Sequence, residues 1–233
     1  MDNSPGIIAF IPARGGSKGI PLKNIKILSG KPLLAWTIDL ALSIAAFNRV
    51  IVSTDNLQIA RVAEEYGAEV LDRPPHLAKD DSIPADVVRK AIKQFRDAGM
   101  KSDILTYLQP TSPLREKKDV IDCLELLAQG YDSAATFTEA ALHPHQAWHI
   151  DGKKPALIVR GAKPWLPRQQ LEKAYQLNGS VYAFWINRFP RSGLSILPEP
   201  CGAVLMPKER SIDIDDMLDF KLAEILISER AKK

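Results

Sequence analysis

Short apolar segments alternate with amphipathic helical segments along the first part of the chain, and this alternation constrains the fold more than any other feature. IIAFIPA (7–13) and RVIVST (49–54) are apolar and rich in residues that favour strands. Residues 32–46 and 81–99 carry apolar side chains at helical spacing. Apolar strands that alternate with helices predict a mostly parallel sheet covered on both sides. We therefore expect a Rossmann-like α/β fold, in which one sheet lies between two layers of helices (a three-layer αβα arrangement). It should form one domain spanning residues 1–233.

The same patterns predict the individual elements. Strands are expected at 7–13, 49–54, 68–72, 103–109, 133–139 and 179–186. Helices are expected at 32–46, 56–67, 81–99, 115–130 and 217–231. Asp55 is the predicted N-cap of the second helix, and Ser82 is a candidate cap of the third, with Pro84 in its first turn.

The composition predicts a soluble protein of the cytoplasm. The net charge of +3 over 233 residues is slight, so no broad basic face for nucleic acid is expected. The start, MDNSPG, lacks the basic and apolar parts of a signal peptide, and no run reaches the roughly 20 apolar residues of a membrane span. The two cysteines, Cys123 and Cys201, are expected to be reduced.

The pattern of strands and helices breaks over residues 140–177, which are rich in proline, tryptophan, histidine and basic residues. Residues 150–159 within this segment predict a short hairpin. His143, His145 and His149 suggest a metal site, but their spacing fits no standard zinc site and no cysteine or acid completes one. We interpret 140–177 as an inserted arm used for dimerisation or for substrate binding.

A glycine-rich cationic loop follows the first strand. Residues 14–19, which we call the basic loop, read RGGSKG, and Lys23 adds a third cation nearby without any acid. Glycines let backbone N–H groups approach an anion closely, while cations neutralise its charge. The spacing matches neither the P-loop nor the GxGxxG motif. The loop therefore indicates phosphate binding, and a solvated turn is the alternative.

A pair of alternating carboxylates lies near the end of the chain. In SIDIDD (211–216), which we call the acidic segment, Asp213 and Asp215 share one face of an extended backbone, and the two isoleucines point to the core. Two carboxylates on one face suit Mg²⁺, a hard cation that often joins protein oxygens to substrate phosphates. The alternative is that Asp215 or Asp216 caps the last helix.

Two further segments carry polar side chains suited to a small ligand. In YLQPTSPLR (107–115) a strand ends, and two prolines stiffen a turn predicted to expose Thr111, Ser112 and Arg115. In the later PRQQ segment, Arg168 offers a bidentate donor for a carboxylate. Each segment alone is equally compatible with an ordinary loop.

Taken together, these four segments and two others resemble the acylneuraminate cytidylyltransferases, the CMP-sialic acid synthetases. The motifs occur in the order ARGGSKGIPLKN, VSTD, LQPTSPLR, PRQQ, NGSVY and SIDID, and the resemblance runs from about residue 7 to residue 227. It implies a nucleotidyltransferase fold and the transfer of CMP from CTP to a nine-carbon sugar acid, with release of pyrophosphate. The anomeric 2-hydroxyl of the sugar acid attacks the α-phosphorus.

The resemblance also implies a role for each motif residue. Nucleotide binding is assigned to Arg14, Gly15, Gly16, Ser17, Lys18, Lys23, Asn24, Arg73 and Ser82. Sugar binding is assigned to Gln109, Thr111, Arg168, Gln170, Asn178 and Tyr182. Catalysis is assigned to Arg14, Lys18, Asp213 and Asp215, of which the two aspartates hold Mg²⁺ and one helps to take the proton of the sugar hydroxyl. Family members are homodimers whose arm reaches over the partner's site.

The chain departs from the family pattern at three places, and the last two of them leave the sugar open. Ser82 is the nearest match to a serine pair in many relatives, and Gln146 and Gln176 stand where some sialic acid enzymes have a lysine and an arginine. Sialic, legionaminic and pseudaminic acid are all candidate substrates. The alternative functions are a CMP-Kdo-type cytidylyltransferase, which acts on a related eight-carbon sugar acid, and a non-catalytic nucleotide-binding module.

Overall fold

The protein's structure, a computed structural model that describes residues 4–230, contains the predicted strands and helices with shifted ends. The strands are β1 (Ile7–Pro12), β2 (Ile27–Leu28), β3 (Lys31–Pro32), β4 (Arg49–Thr54), β5 (Glu69–Asp72), β6 (Ile104–Tyr107), β7 (Ser133–Glu139), β8 (Trp148–Asp151), β9 (Lys154–Leu157), β10 (Tyr175–Trp185) and β11 (Cys201–Leu205). The α-helices are α1 (Leu33–Leu42), α2 (Leu57–Glu65), α3 (Pro84–Asp97), α4 (Lys117–Ala128) and α5 (Met217–Arg230). Among residues 4–230, no helix combines the length and the hydropathy needed to cross a membrane.

Seven of the strands form one sheet in the order β11-β7-β10-β6-β1-β4-β5. β10 runs antiparallel to both of its neighbours, and the remaining pairings in this sheet are parallel. The prediction of a mostly parallel sheet is therefore confirmed. Because β1, β5 and β6 run in the same direction, their carboxyl ends meet along one edge, where α/β folds bind their ligands.

Helices cover both faces of the sheet. In β1, Ala9 and Ile11 pack with α1, α2 and α4 on one face. Ile8 and Phe10 point to the other face, where α3 and the segment 186–197 pack. Successive residues of a strand point to opposite faces, so each face of the sheet takes every second side chain. The predicted three-layer αβα arrangement is confirmed.

A third, smaller core joins the two ends of the chain. α5 contributes Phe220, Ala223 and Ile227 to it. Ile20, just after the basic loop, and Ile214, in the acidic segment, are buried against them. Burying a large apolar side chain contributes roughly 1.5–3 kcal/mol to stability. The same packing that attaches α5 therefore holds the basic loop beside the acidic segment.

Two helix starts differ from the prediction. The N-cap of α2 is Asn56, whose side chain accepts hydrogen bonds from two backbone N–H groups of the first turn. The predicted cap, Asp55, instead accepts a hydrogen bond from the backbone N–H of Gly15. α3 begins at Pro84 without a side-chain cap, so the assignment of Ser82 as its cap is wrong.

The arm leaves the sheet after β7 and carries its own hairpin. β8 and β9 pair antiparallel with Trp148 opposite Leu157, which confirms the predicted hairpin. The arm rejoins the sheet earlier than expected, because β10 begins at Tyr175 and pairs with β7 from there. The arm therefore spans residues 140–174, and the last three residues assigned to it belong to the central sheet.

Candidate active site

A cleft of about 280 Å³ opens where strands of the central sheet end. Arg14 follows β1, Arg73 follows β5 and Gln109 follows β6, and all three residues line the cleft. Asp213 and Asp215 of the acidic segment line it as well. The residues assigned to the nucleotide that line the cleft are Arg14, Gly16, Ser17, Lys23, Asn24, Arg73 and Ser82. The fold therefore brings together cationic and acidic motifs that are far apart in the sequence.

Two side chains outside the basic loop hold its backbone. The backbone N–H of Gly15 donates a hydrogen bond to Asp55 Oδ1 at 2.8 Å. The buried side-chain amide of Asn24 donates to the carbonyl oxygen of Arg14 at 3.0 Å. Asn24 therefore shapes the basic loop in addition to lining the cleft. Asp55, the last residue of the VSTD motif, also shapes this loop.

The two cations of the basic loop are paired with Asp80, a residue that the sequence did not single out. Arg14 lies 2.9 Å and Lys18 lies 3.0 Å from the two oxygens of its carboxylate. Asp80 belongs to a turn before α3, far from the loop in sequence. No local pattern signals such a pair, because only the sheet brings the two loops together.

The basic loop ends in contact with the acidic segment. A Cβ at Gly19 would overlap the carbonyl oxygen of Asp215, so only glycine permits this approach. The ammonium of Lys23 donates to the carbonyl oxygen of Ile214 and lies 3.5 Å from the Asp215 carboxylate. The motif predicted to bind phosphate and the motif predicted to bind metal thus form one continuous site.

The two carboxylates of the acidic segment face the cleft, as their alternation predicted. Ile214 between them is fully buried, and its N–H donates to the carbonyl oxygen of Thr111 at 2.9 Å. Burial raises the pKa of Asp213; the Thr111 hydroxyl lowers it in part, and the charge of Asp215 raises it. A cation bound between the two carboxylates would favour their charged forms.

The cleft offers two carboxylates as candidate metal ligands, Asp213 and Asp215. Within residues 4–230, no group of three or more histidine, cysteine, aspartate or glutamate side chains is placed to hold a metal ion. Asp213 and Asp215 line the same cleft, and a pair of carboxylates is compatible with Mg²⁺, which usually keeps several waters and phosphate oxygens as further ligands. Asp216 has a structural role instead, because its carboxylate accepts from the N–H groups of Leu218 and Asp219 and caps α5.

Arg73 supplies a buried cation to the cleft. Its guanidinium donates to the hydroxyl of Ser53 at 3.3 Å and to the carbonyl oxygen of the same residue at 2.9 Å. Burial lowers the pKa of Arg73, and the nearby Asp55 carboxylate opposes this shift. Ser82 lines the cleft nearby and its hydroxyl donates to the carbonyl oxygen of His76 at 3.4 Å.

Some of the residues assigned to the sugar lie at the cleft. Gln109 and Thr111 line it, and Gln109 also lines an adjoining second cavity of about 250 Å³ together with Tyr182 and Leu177. The Oε1 of Gln109 is buried, and the Gln109 side chain lies within hydrogen-bonding reach of the Tyr107 hydroxyl. Burial raises the pKa of Tyr182 to about 12, which keeps its hydroxyl protonated at neutral pH.

Other residues assigned to the sugar lie away from the cleft. Asn178 is buried. Its side-chain oxygen accepts a hydrogen bond from the Thr136 hydroxyl at 2.7 Å, and its side-chain amide donates one to the Ser211 hydroxyl at 2.9 Å. Asn178 therefore joins β7 to the acidic segment. Gln170 is exposed on a short turn of the arm. The side chain of Arg168 lies outside the described part of the structure. Neither Asn178 nor Gln170 is among the residues that line the cleft.

Arg115 and Ser112, predicted to be exposed, are buried. The Arg115 guanidinium donates to the carbonyl oxygens of Ser180 and Gln109, each at 2.6 Å, and to the Thr37 hydroxyl at 3.3 Å. It therefore joins α1, β10 and the loop after β6. Burial lowers the pKa of Arg115 to about 9, so the side chain stays charged at neutral pH. The prediction was wrong because the proline-containing turn packs inward against β10.

Solved structures share this fold. A structure of CMP:2-keto-3-deoxy-manno-octonic acid synthetase complexed with CTP matches with a TM-score of 0.71 at 16% sequence identity, over 97% of this chain and 99% of that one. A structure of 4-diphosphocytidyl-2C-methyl-D-erythritol synthase from Anaerococcus prevotii matches with a TM-score of 0.68 at 14% identity, over 97% of this chain and 100% of that one. These two likenesses show that the chain shares the fold of these enzymes.

The chain belongs to the cytidylyltransferase family, whose model matches residues 8–198. It is 36% identical over 224 residues to N-acylneuraminate cytidylyltransferase A of Danio rerio, covering 94% of this chain and 50% of that protein. It is 35% identical over 233 residues to CMP-N,N'-diacetyllegionaminic acid synthase of Legionella pneumophila, covering 95% of this chain and 96% of that protein. The chain thus spans half the length of the first relative and nearly all of the second. The family assignment made from the motifs is confirmed.

Proposed function

We propose that the chain transfers CMP from CTP to a nonulosonic acid, a nine-carbon sugar acid of the sialic type, and releases pyrophosphate. Membership of the cytidylyltransferase family supports the nucleotide. The names of the Danio rerio and Legionella pneumophila relatives support the class of sugar acid. A CMP-Kdo-type activity is supported only by a fold likeness at 16% identity. Kdo is therefore included in the test as a competing substrate.

One observation carries this proposal: the cleft gathers both the cations and the carboxylates that phosphoryl transfer uses. Arg14, Lys23 and Arg73 line the cleft together with Asp213 and Asp215. Fixed cations stabilise negative charge that develops on phosphoryl oxygens in the transition state. A module that only binds nucleotide needs the cations but needs no carboxylate to take a proton from a sugar hydroxyl. The presence of both groups favours catalysis.

In the proposed reaction, the oxygen of the sugar's 2-hydroxyl forms a bond to the α-phosphorus while the bond to the bridging oxygen of pyrophosphate breaks. Arg14 and Lys18 hold the polyphosphate and stabilise the charge that the leaving pyrophosphate gains. Asp213 or Asp215 takes the proton that the hydroxyl loses. Gln109, at the junction of the cleft and the second cavity, orients the sugar acid.

Asp213 and Asp215 would hold Mg²⁺, which supplies neutralising charge to phosphate oxygens when it is bound. Two observations support this assignment. Both carboxylates line the cleft. The charge of Asp215 raises the pKa of Asp213, a repulsion that a divalent cation relieves.

We also propose that the protein is a homodimer in which the arm of one chain covers the cleft of the other. The arm exposes Ile150, Ile158 and Trp165, whose exposed fractions are 59%, 64% and 87%. A partner chain that covered this segment would remove these apolar side chains from water. This arrangement gives a use to Arg168 and Gln170, which lie on the arm. A cytoplasmic location stays a prediction from the sequence.

The test is pyrophosphate release from CTP and Mg²⁺ with four sugar acids in parallel: N-acetylneuraminic, legionaminic and pseudaminic acid, and Kdo. We expect release with at least one of the nine-carbon acids. Release with Kdo alone would favour the competing activity. A folded protein that binds CTP but releases pyrophosphate with none of the four acids would be the non-catalytic binding module instead.

The carboxylates are tested by replacing them singly. Asp213→Asn and Asp215→Asn should each lower kcat by about 100-fold or more, because the amide can neither hold the metal nor take the proton. CTP binding measured without Mg²⁺ should persist in both variants. Asp216→Asn is the matched control, because asparagine caps a helix as well as aspartate does, and its activity should stay close to that of the parent.

A further inference from the structure

Asp80 places one carboxylate on both cations of the basic loop. Its Oδ1 lies 2.9 Å from the Arg14 guanidinium, and its Oδ2 lies 3.0 Å from the Lys18 ammonium. Arg14 and Lys18 are also the residues to which the proposed function assigns the polyphosphate. The carboxylate therefore occupies the same donors that an incoming phosphate needs.

The ion pairs of Asp80 with Arg14 and Lys18 connect two separate loops, the turn before α3 and the basic loop. Asp80 lies in the turn between Lys79 and Ser82, which is closed by a hydrogen bond of 3.2 Å from the N–H of Ser82 to the carbonyl oxygen of Lys79. A Cβ at Gly16 would lie 4.0 Å from the carbonyl oxygen of Ala78, so the loops face each other without overlapping. Side-chain movement alone can open the contact.

The contact is weak enough to open. The exposed fractions are 32% for the Arg14 side chain, 81% for that of Lys18 and 44% for that of Asp80. Exposed ion pairs are screened by water and salt, so each contributes little to stability. The hydrogen bond from Lys18 is the largest cause that lowers the pKa of Asp80, which keeps the carboxylate charged at neutral pH.

We propose that Asp80 competes with the polyphosphate of the nucleotide for Arg14 and Lys18, and so sets how tightly the cleft holds CTP and pyrophosphate. This inference rests on the proposed function. An entering triphosphate displaces the carboxylate from both cations. When pyrophosphate is the product, the carboxylate returns to the same cations and favours its release. Asp80 therefore lowers substrate affinity and product retention together.

Calorimetric titration at fixed ionic strength tests the proposal with CTP, inorganic pyrophosphate and cytidine as probes. Asp80→Asn should bind CTP and pyrophosphate about threefold to thirtyfold more tightly than the parent, because the phosphate no longer has to break two exposed ion pairs before it binds. Cytidine carries no phosphate, so its affinity should not change. A merely structural role of Asp80 would alter cytidine binding too.

Asp81→Asn is the matched control. Asp81 is the next residue of the same turn, is exposed, and is not among the residues that line the cleft. It should bind all three probes with parent affinity. Unchanged or weaker binding of CTP and pyrophosphate by Asp80→Asn would overturn the proposal, as would an equal gain in Asp81→Asn. A parent that binds pyrophosphate but not CTP would contradict the proposed function, while pyrophosphate would still decide the role of Asp80.

Discussion

Gly179 shows how closely the backbone approaches the ligand side of the cleft. Its φ is +76°, a value that residues with a Cβ rarely adopt. A Cβ there would overlap the side-chain oxygen of Gln109 and lie 3.4 Å from the Asp213 carboxylate. Glycine is therefore needed at this position for two separate reasons, its backbone conformation and the space that Gln109 occupies.

Gly179→Ala separates those two reasons when it is compared with Gly161→Ala. Gly161 has a φ of +75°, but a Cβ there would have no neighbour within 4 Å. Both variants should lose about 1–2 kcal/mol of unfolding free energy, measured with urea, from backbone strain. Only Gly179→Ala should also raise KM for the sugar acid, because Gln109 has to move. Equal KM values in the two variants would contradict the role given to Gln109.

At the scale of helices and strands, the sequence predicted which elements exist better than where they end. β1 was recognisable because a strand buried on both faces must be apolar throughout, and IIAFIP is. The cap of α2 was not, because Asp55 and Asn56 are both good caps. The choice between them depends on Gly15, whose N–H donates a hydrogen bond to the Asp55 carboxylate, and that contact exists only in the folded protein.

The cap of α2 gives a prediction for this element. Asn56→Ala should lower the free energy of unfolding by about 1 kcal/mol, because two N–H groups of the first turn lose their acceptor. Asn56→Asp keeps an acceptor oxygen and should remain within a few tenths of the parent value. Urea unfolding of the three proteins measures both differences. An aspartate variant as unstable as the alanine variant would show that the cap is not the cause.

The residues of the candidate site also fall into those that the sequence predicted and those that it did not. The basic loop and the acidic pair were predictable because glycines beside cations, and carboxylates two residues apart, are local patterns with a direct chemical meaning. Asp80 and Arg115 were not found in their actual roles. Asp80 meets the basic loop only across the sheet. Arg115 was placed on the surface, because nothing in a proline-containing turn shows which of its side chains will pack beneath a neighbouring strand.

For the whole molecule, the exposed apolar residues of the arm predict the assembly. In light scattering the parent should have twice the 25.8 kDa chain mass. Ile150→Asp should lower that mass toward a single chain, because a charge at a buried interface is costly. Leu57→Asp is the control, since Leu57 is 79% exposed but belongs to α2, outside the arm. A parent of single-chain mass, or a dimeric Ile150→Asp variant, would contradict the proposed dimer.

The order in which the parts of the site occur along the chain has a consequence for synthesis. The sheet is complete at Leu205, where β11 ends, but the acidic segment that closes the cleft follows only at residues 211–216. Chains grow from the N-terminus at about 5–20 residues per second. A chain still on the ribosome thus carries the cations of the basic loop well before it carries the carboxylates beside them. Competence for the proposed reaction is expected only after the whole central sheet has been translated.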